Sequence, residues 1–286
     1  MTYFIKRLLC IKSIALLSLL AVGGVMAQTE PQPPVQDVVL SSPLKAMSFS
    51  GATGLFAIPT GRIGWEHAAN FGIDIGAAYD VTQKEPYVKL AMSFVKWFEV
   101  SAIVGVPHIT SSDAFANNLD TVIGAKFHFP LTRSALAVGG NLHLHREKIY
   151  HDDIRLAGQA YIAATYLGYF FGMSAETSFA VGYTFNTEYT PGLNIGLGFD
   201  IELAPNLFRH ALHWIMDFSN FSYNNNHENT KNEFPGCLNT GLRVDLSVIP
   251  VLNKFKASID LTGTNLLYKE RSFVVSLLFG IPVVGN

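Results

Sequence analysis

Residues 171–185 read FGMSAETSFAVGYTF, and their spacing decides the fold. Odd positions carry Phe171, Met173, Ala175, Thr177, Phe179, Val181, Tyr183 and Phe185. Even positions carry Gly172, Ser174, Glu176, Ser178, Ala180, Gly182 and Thr184. A period of two belongs to a β-strand, whose successive side chains point to opposite faces. One face of this strand is large and apolar, the other small and polar. The stretch is also long. Strands of soluble domains run about five or six residues, whereas a tilted strand needs about nine to eleven to cross a bilayer.

Outward from this stretch the pattern recurs. Residues 193–203 place Leu193, Ile195, Leu197, Phe199 and Ile201 on one face and Asn194, Gly196, Gly198, Asp200 and Glu202 on the other. Residues 238–248 and 67–79 alternate in the same way. Twelve such segments follow one another, at about 66–80, 85–95, 98–107, 119–129, 134–145, 154–166, 171–186, 191–203, 211–223, 237–249, 254–263 and 270–280. The longest links between them, 108–118, 146–153 and 224–236, all fall in the same alternate set. Outer-membrane barrels have long loops on one side and tight turns on the other. The spacing therefore predicts an all-β protein, a transmembrane antiparallel β-barrel of about 12 strands.

The face composition separates this from a soluble two-sheet sandwich, which also alternates. The polar face is rich in Gly, Ala, Ser and Asn, residues that suit a crowded concave lumen. The apolar face carries Phe71, Phe94, Phe127, Phe179, Phe199 and Trp214, too large a set to point inward. Aromatics near strand ends, among them Trp97, Phe98, Phe129, Tyr169 and Phe170, fit girdles at the two membrane interfaces. Residues 157–175 hold no charge and could be read as a membrane helix. Gln159, Thr165 and three glycines favour two strands joined through Leu167–Phe170 instead.

Residues 1–27 have the form of a secretory signal peptide: Lys6, Arg7 and Lys12, then an uncharged run from Ile14, then Val25-Met26-Ala27. Residues 28–44 contain four prolines and read as a periplasmic linker. Residues 45–65 lead into the barrel or plug its lumen, or add a thirteenth strand beside a fourteenth; 66–286 form the barrel. The expected location is the bacterial outer membrane with both termini periplasmic.

Charged residues make up 15% of the chain and aromatics 12%. This excludes a disordered chain, and two cysteines exclude a disulfide scaffold. Without the first 27 residues the chain keeps 17 basic and 22 acidic side chains, net −5. That sign excludes a general nucleic-acid binder.

Ser50-Gly51-Ala52-Thr53-Gly54-Leu55-Phe56-Ala57-Ile58-Pro59-Thr60 resembles a phrase of the YjbH-like outer-membrane barrels, T-G-L-x-x-x-P-T. The resemblance implies location, a barrel fold and a link to exopolysaccharide; it implies no site residue. The last strand, with Phe273, Val275, Leu277 and Phe279 on one face, resembles the C-terminal signal read by the barrel-assembly machinery, although Gly280–Asn286 follow it.

No G-x-S-x-G, Walker loop, H-E-x-x-H or C-x-x-C occurs, and His143-Leu144-His145 brings no nucleophile. The chain is expected to be no enzyme and to bind no cofactor. His143, His145, His151, Asp152 and Asp153 cluster in sequence; they suit a divalent metal at a pore mouth, or simply a polar wall and a solvated loop. The expectation is the wall, with no metal. The charges expected to line the lumen are Asp74, Lys89, Lys126, His143, His145 and Glu176, and further along Asp200, Glu202, Arg243, Asp245, Lys256 and Asp260. In an open barrel they bias a water-filled path; in a closed one they pair across it. The leading expectation is a porin-like passive channel for small hydrophilic solutes. A surface-exposed structural or adhesive protein, or a part in exopolysaccharide export, are the alternatives. Expected partners are outer-membrane lipid, the barrel-assembly machinery, and small solutes or surface ligands.

Overall fold

The computed structural model describes residues 45–66, 71–105, 118–147, 151–186, 192–221, 236–267 and 271–283. The signal-peptide and linker assignments and nearly all of 108–118 and 224–236 lie outside the described residues. The expected long link 146–153 is corrected, because residues 146–147 and 151–153 are strand, with Glu147 paired to His151. Twelve strands follow in order: β1 Phe71–Asp80, β2 Glu85–Phe94, β3 Phe98–Gly105, β4 Asn118–Pro130, β5 Ser134–Glu147, β6 His151–Phe170, β7 Met173–Asn186, β8 Gly192–Glu202, β9 Leu212–Ser219, β10 Cys237–Asp245, β11 Lys256–Thr264 and β12 Ser272–Val283. A short helix, α1 (Pro205–Phe208), sits between β8 and β9. Each strand pairs antiparallel with its sequence neighbours, and β1 closes the barrel on β12 from Phe71↔Val283 to Asp80↔Val274. Closure leaves no sheet edge, so backbone groups are satisfied by the ladder itself, the condition for a sheet to sit in hydrocarbon.

Burial follows the period of two. In β1, Gly72, Asp74, Gly76, Ala78 and Asp80 are buried while Ile75, Ala77 and Tyr79 are exposed. Across the barrel the exposed face is apolar, with Val88 at 60%, Ile162 at 58% and Phe127 at 56% exposure, while Lys126, Asp217 and Arg243 are at 1% or less. A soluble protein has the reverse arrangement; this surface is made for lipid. At the short-turn end, cross-strand pairing stacks Phe71 on Phe94, Phe94 by Phe98, and Phe98 on Phe127, at ring-centroid distances of 5.0, 6.2 and 4.8 Å. That row is an interfacial girdle. Unboiled protein is accordingly expected to run at a different position from boiled protein on a detergent gel. Equal mobility together with solubility without detergent would contradict the lipid-facing assignment.

Three strand ends depart from the alternation by four residues. β6 runs to Phe170, beyond 166, because the turn is Phe171-Gly172, with φ of 49° and 76°. Positive φ at both central residues is the hairpin turn whose twist matches the strands. β9 ends at Ser219, short of 223, because the Asn220 side chain takes over the ladder. Its Oδ1 accepts from Ile195 N at 2.6 Å and its Nδ2 donates to Leu193 O at 2.8 Å. The chain then turns Phe221 into the lumen against Tyr161. β10 ends at Asp245, short of 249, where successive turns to Phe255 replace it around Pro250, which has no N–H to give. Residues 45–66 add no thirteenth strand; they form only two isolated bridges, Met47↔Thr53 and Gly54↔Pro59.

Candidate functional site: an occluded lumen

Residues 45–66 occupy the lumen. Two nested turns build the segment: Ser48 N donates to Ala52 O at 2.8 Å, Phe49 N to Phe56 O at 2.7 Å and Leu55 N to Ile58 O at 3.1 Å. Most of its backbone has no partner within the segment, and buried backbone must be paired. The barrel wall supplies the pairs. Glu99 accepts from Thr53 N at 2.8 Å and from Gly64 N at 2.9 Å. Asp217 accepts from Phe56 N at 2.8 Å and Ala57 N at 2.7 Å. Thr165 Oγ1 accepts from Gly61 N at 2.9 Å. In the other direction, Lys126 Nζ donates to Thr53 O at 2.7 Å and Lys256 Nζ to Gly64 O at 2.8 Å, while His128 Nδ1 lies 2.7 Å from Gly61 O. The polar wall does for this segment what a neighbouring strand would do.

The small residues of the inner face make room for it. A Cβ on Gly196 would stand 2.3 Å from the Ile58 methyl, and one on Gly198 2.4 Å from the Leu55 methyl. Leu55, Phe56 and Ile58 pack with Tyr161, Ile215 and Phe221, an apolar core inside a polar tube.

The twelve lumen candidates sort into groups. Asp74, Lys126, Glu176 and Lys256 face the 45–66 segment. Asp74 takes the Trp65 indole N–H at 2.9 Å and Lys256 at 2.7 Å. Lys126 meets Glu99 at 3.4 Å, and Glu176 meets Arg62 at 3.2 Å. Lys89 lies 5.1 Å from the Phe49 ring centroid. Arg243, Asp200 and Asp260 pair along the wall. The guanidinium donates to Asp260 through Nε at 2.9 Å and Nη2 at 2.8 Å, and approaches Asp200 at 3.5 Å. Toward the short-turn end, Glu202 contacts His210, and the half-buried Asp245 caps Ser247 N. His143 and His145 stand apart, near the long-connection end, with Asp120. The side chains of His151, Asp152 and Asp153 lie outside the described residues.

Asp217, Asp120, His128 and Thr165 escaped the sequence reading. Their signal was parity: Asp217 falls on the face opposite Trp214, Asp120 shares the inner face with Lys126 and His128, and Thr165 shares it with Gln159. Between the segment and the long-connection end lies a cavity of about 180 Å3, lined by Phe49, Ser50 and Ala57 below and by Tyr87, Asp120, Asn239 and Val274 around.

Fold and lumen define the class: a transmembrane β-barrel whose bore is filled by a segment of its own chain. No family model matches the sequence. No curated protein matches it. Solved structures resemble it in architecture. The KdgM porin is 7% identical, with a TM-score of 0.46 over 74% of this chain and 99% of that one. The outer membrane protein Omp33 of Acinetobacter baumannii is 10% identical, TM-score 0.40, over 77% and 100%. LpxR from Salmonella typhimurium is 7% identical, TM-score 0.44, over 74% and 100%.

Proposed function

We propose that the protein is a bacterial outer-membrane, porin-like barrel that rests closed and passes small hydrophilic solutes when residues 45–66 shift. The observation that carries this reading is how the segment is held. Separate polar side chains grip it, and no ladder does, so each grip can be exchanged for water in a bore already lined with charge. Both termini face the periplasm in this reading, because the long connections then face outward. No catalytic role is assigned.

Planar-bilayer recording tests it. The wild-type barrel should be mostly silent. Asp217→Ala combined with Glu99→Ala removes acceptors for four backbone N–H groups of the segment and should give persistent discrete conductance steps. Reversing Asp200 or Arg243 in that background should change ion selectivity. A loosened barrel that stays silent would overturn the channel reading. The cavity at the long-connection end favours a second reading, a surface ligand receptor; a silent barrel that binds surface ligands would support it. For orientation, cysteine probes in 108–118 and 224–236 should label from outside intact cells and probes in 130–133 should not. The reverse pattern would invert the assignment.

A further inference from the structure

We propose that Asp120, His143 and His145 form a site for one divalent transition-metal ion of the zinc type, on the inner wall at the long-connection end. The strand ladder brings the three together. His143 and His145 are two residues apart on β5 and share its inner face. Asp120 on β4 is the direct cross-strand partner of His145 and the diagonal neighbour of His143, whose own partner is Val122. His143 Nε2 and Asp120 Oδ1 are hydrogen-bonded. His145 Nδ1 lies 3.7 Å from the same oxygen, and the ligand atoms of all three residues lie within 4.8 Å of one another. Both imidazoles are buried; Asp120 is half-buried and borders the cavity.

The donor set argues for the ion. Two imidazoles and one carboxylate make three protein ligands, the number found at open zinc sites, with the remaining position left for water or a solute oxygen. Calcium and magnesium prefer an all-oxygen shell and are disfavoured by two ring nitrogens. Bond lengths of about 2.0–2.1 Å place neighbouring ligand atoms about 3.3 Å apart in a tetrahedral site. Side-chain rotation alone can bring the three atoms to that spacing, because strand pairing already holds their backbones side by side. The cavity beside Asp120 supplies space for the fourth ligand. Among the described residues, no other three His, Cys, Asp or Glu side chains converge in this way. The sequence pattern named the two histidines but grouped them with His151, Asp152 and Asp153; the cross-strand carboxylate is what makes the set a chelate.

Metal binding is independent of the channel reading, because it is measured on the purified, closed barrel in detergent. The chain is stripped with a chelator, dialysed against Zn2+ and assayed for bound zinc, with affinity from a competing indicator. One zinc per chain is expected. Asp120→Asn and His143→Gln, which keep side-chain shape, should each weaken binding by about 100-fold or more, since even outer-shell changes lose 10- to 100-fold. His210→Gln, in the β8–β9 link, should leave affinity unchanged. A gel shift between boiled and unboiled samples confirms that each variant is folded. A wild-type barrel that retains no zinc, or an H143Q/H145Q double variant that binds like wild type, would overturn the site and leave the plain reading, a carboxylate shared by two histidines.

Discussion

Arg243→Ala should lower the stability of the folded barrel by about 3–5 kcal/mol, the range for breaking a buried ion pair from one side. The guanidinium is 1% exposed and binds Asp260 with two parallel hydrogen bonds of 2.9 and 2.8 Å. It also stands 3.5 Å from Asp200, which is held on its other side by His213 at 2.8 Å. Truncation leaves two carboxylates facing each other across a void, with the His213 imidazole beside Asp200 and the Lys89 ammonium near Asp260 as the groups left to balance them. The asymmetry of the effect identifies its cause. Removing both partners, as in R243M/D260L, takes away the uncompensated charge and fills the void, so it should recover most of the loss. The measurement is urea unfolding in lipid vesicles, followed by loss of the unboiled gel form. An Arg243→Ala barrel within about 1 kcal/mol of wild type would mean that water already screens this pair, and the lumen there would be wet rather than sealed.

This pair also shows how far the sequence reaches. Parity alone puts Arg243 and Asp260 on the inner face, and their register, Arg243↔Asp260, follows once the hairpin between β10 and β11 is known. Strand type, face and approximate count are readable because lipid outside and a crowded lumen inside impose a strict period of two. Strand ends are less readable, because they depend on local devices: the Asn220 side chain, the Phe171-Gly172 turn, the folded 246–255 link. The identity of what fills the lumen is least readable. Nothing in GATGLFAIPTG announces that its backbone will find Glu99, Asp217 and Thr165, which lie 46, 161 and 104 residues away in their hydrogen-bonded pairs. Those contacts exist only after the barrel has closed. The polar charges were visible as a set; whether they faced water or a peptide was not.

Gly61→Val should release the 45–66 segment without unfolding the barrel. Gly61 lies flat against the wall: its N–H donates to Thr165 Oγ1 at 2.9 Å and its carbonyl lies 2.7 Å from His128 Nδ1. A Cβ there would stand 2.3 Å from the Ala135 carbonyl oxygen and 3.0 Å from Thr165 N. Both obstacles are strand backbone, held by ladder bonds on β5 and β6, so the segment must move instead. Overpacking costs about 1–3 kcal/mol and each lost hydrogen bond about 1 kcal/mol. A total near 3 kcal/mol raises the withdrawn population about 100-fold, at 1.4 kcal/mol per factor of ten. Trypsin reads this out, because Arg62 is buried between Glu66 and Glu176 and a protease can reach it only outside the lumen. Cleavage after Arg62, seen as a fragment beginning at Ile63, should therefore be about 100-fold faster in the variant, provided closing is fast relative to cleavage. Gly158→Val is the matched control, since a Cβ at Gly158 meets nothing within 4 Å; it should be cut after Arg62 at the wild-type rate. Equal cleavage of Gly61→Val and wild type, with both barrels still shifting on the gel, would show that the wall yields to the segment and that the lumen is not a gate.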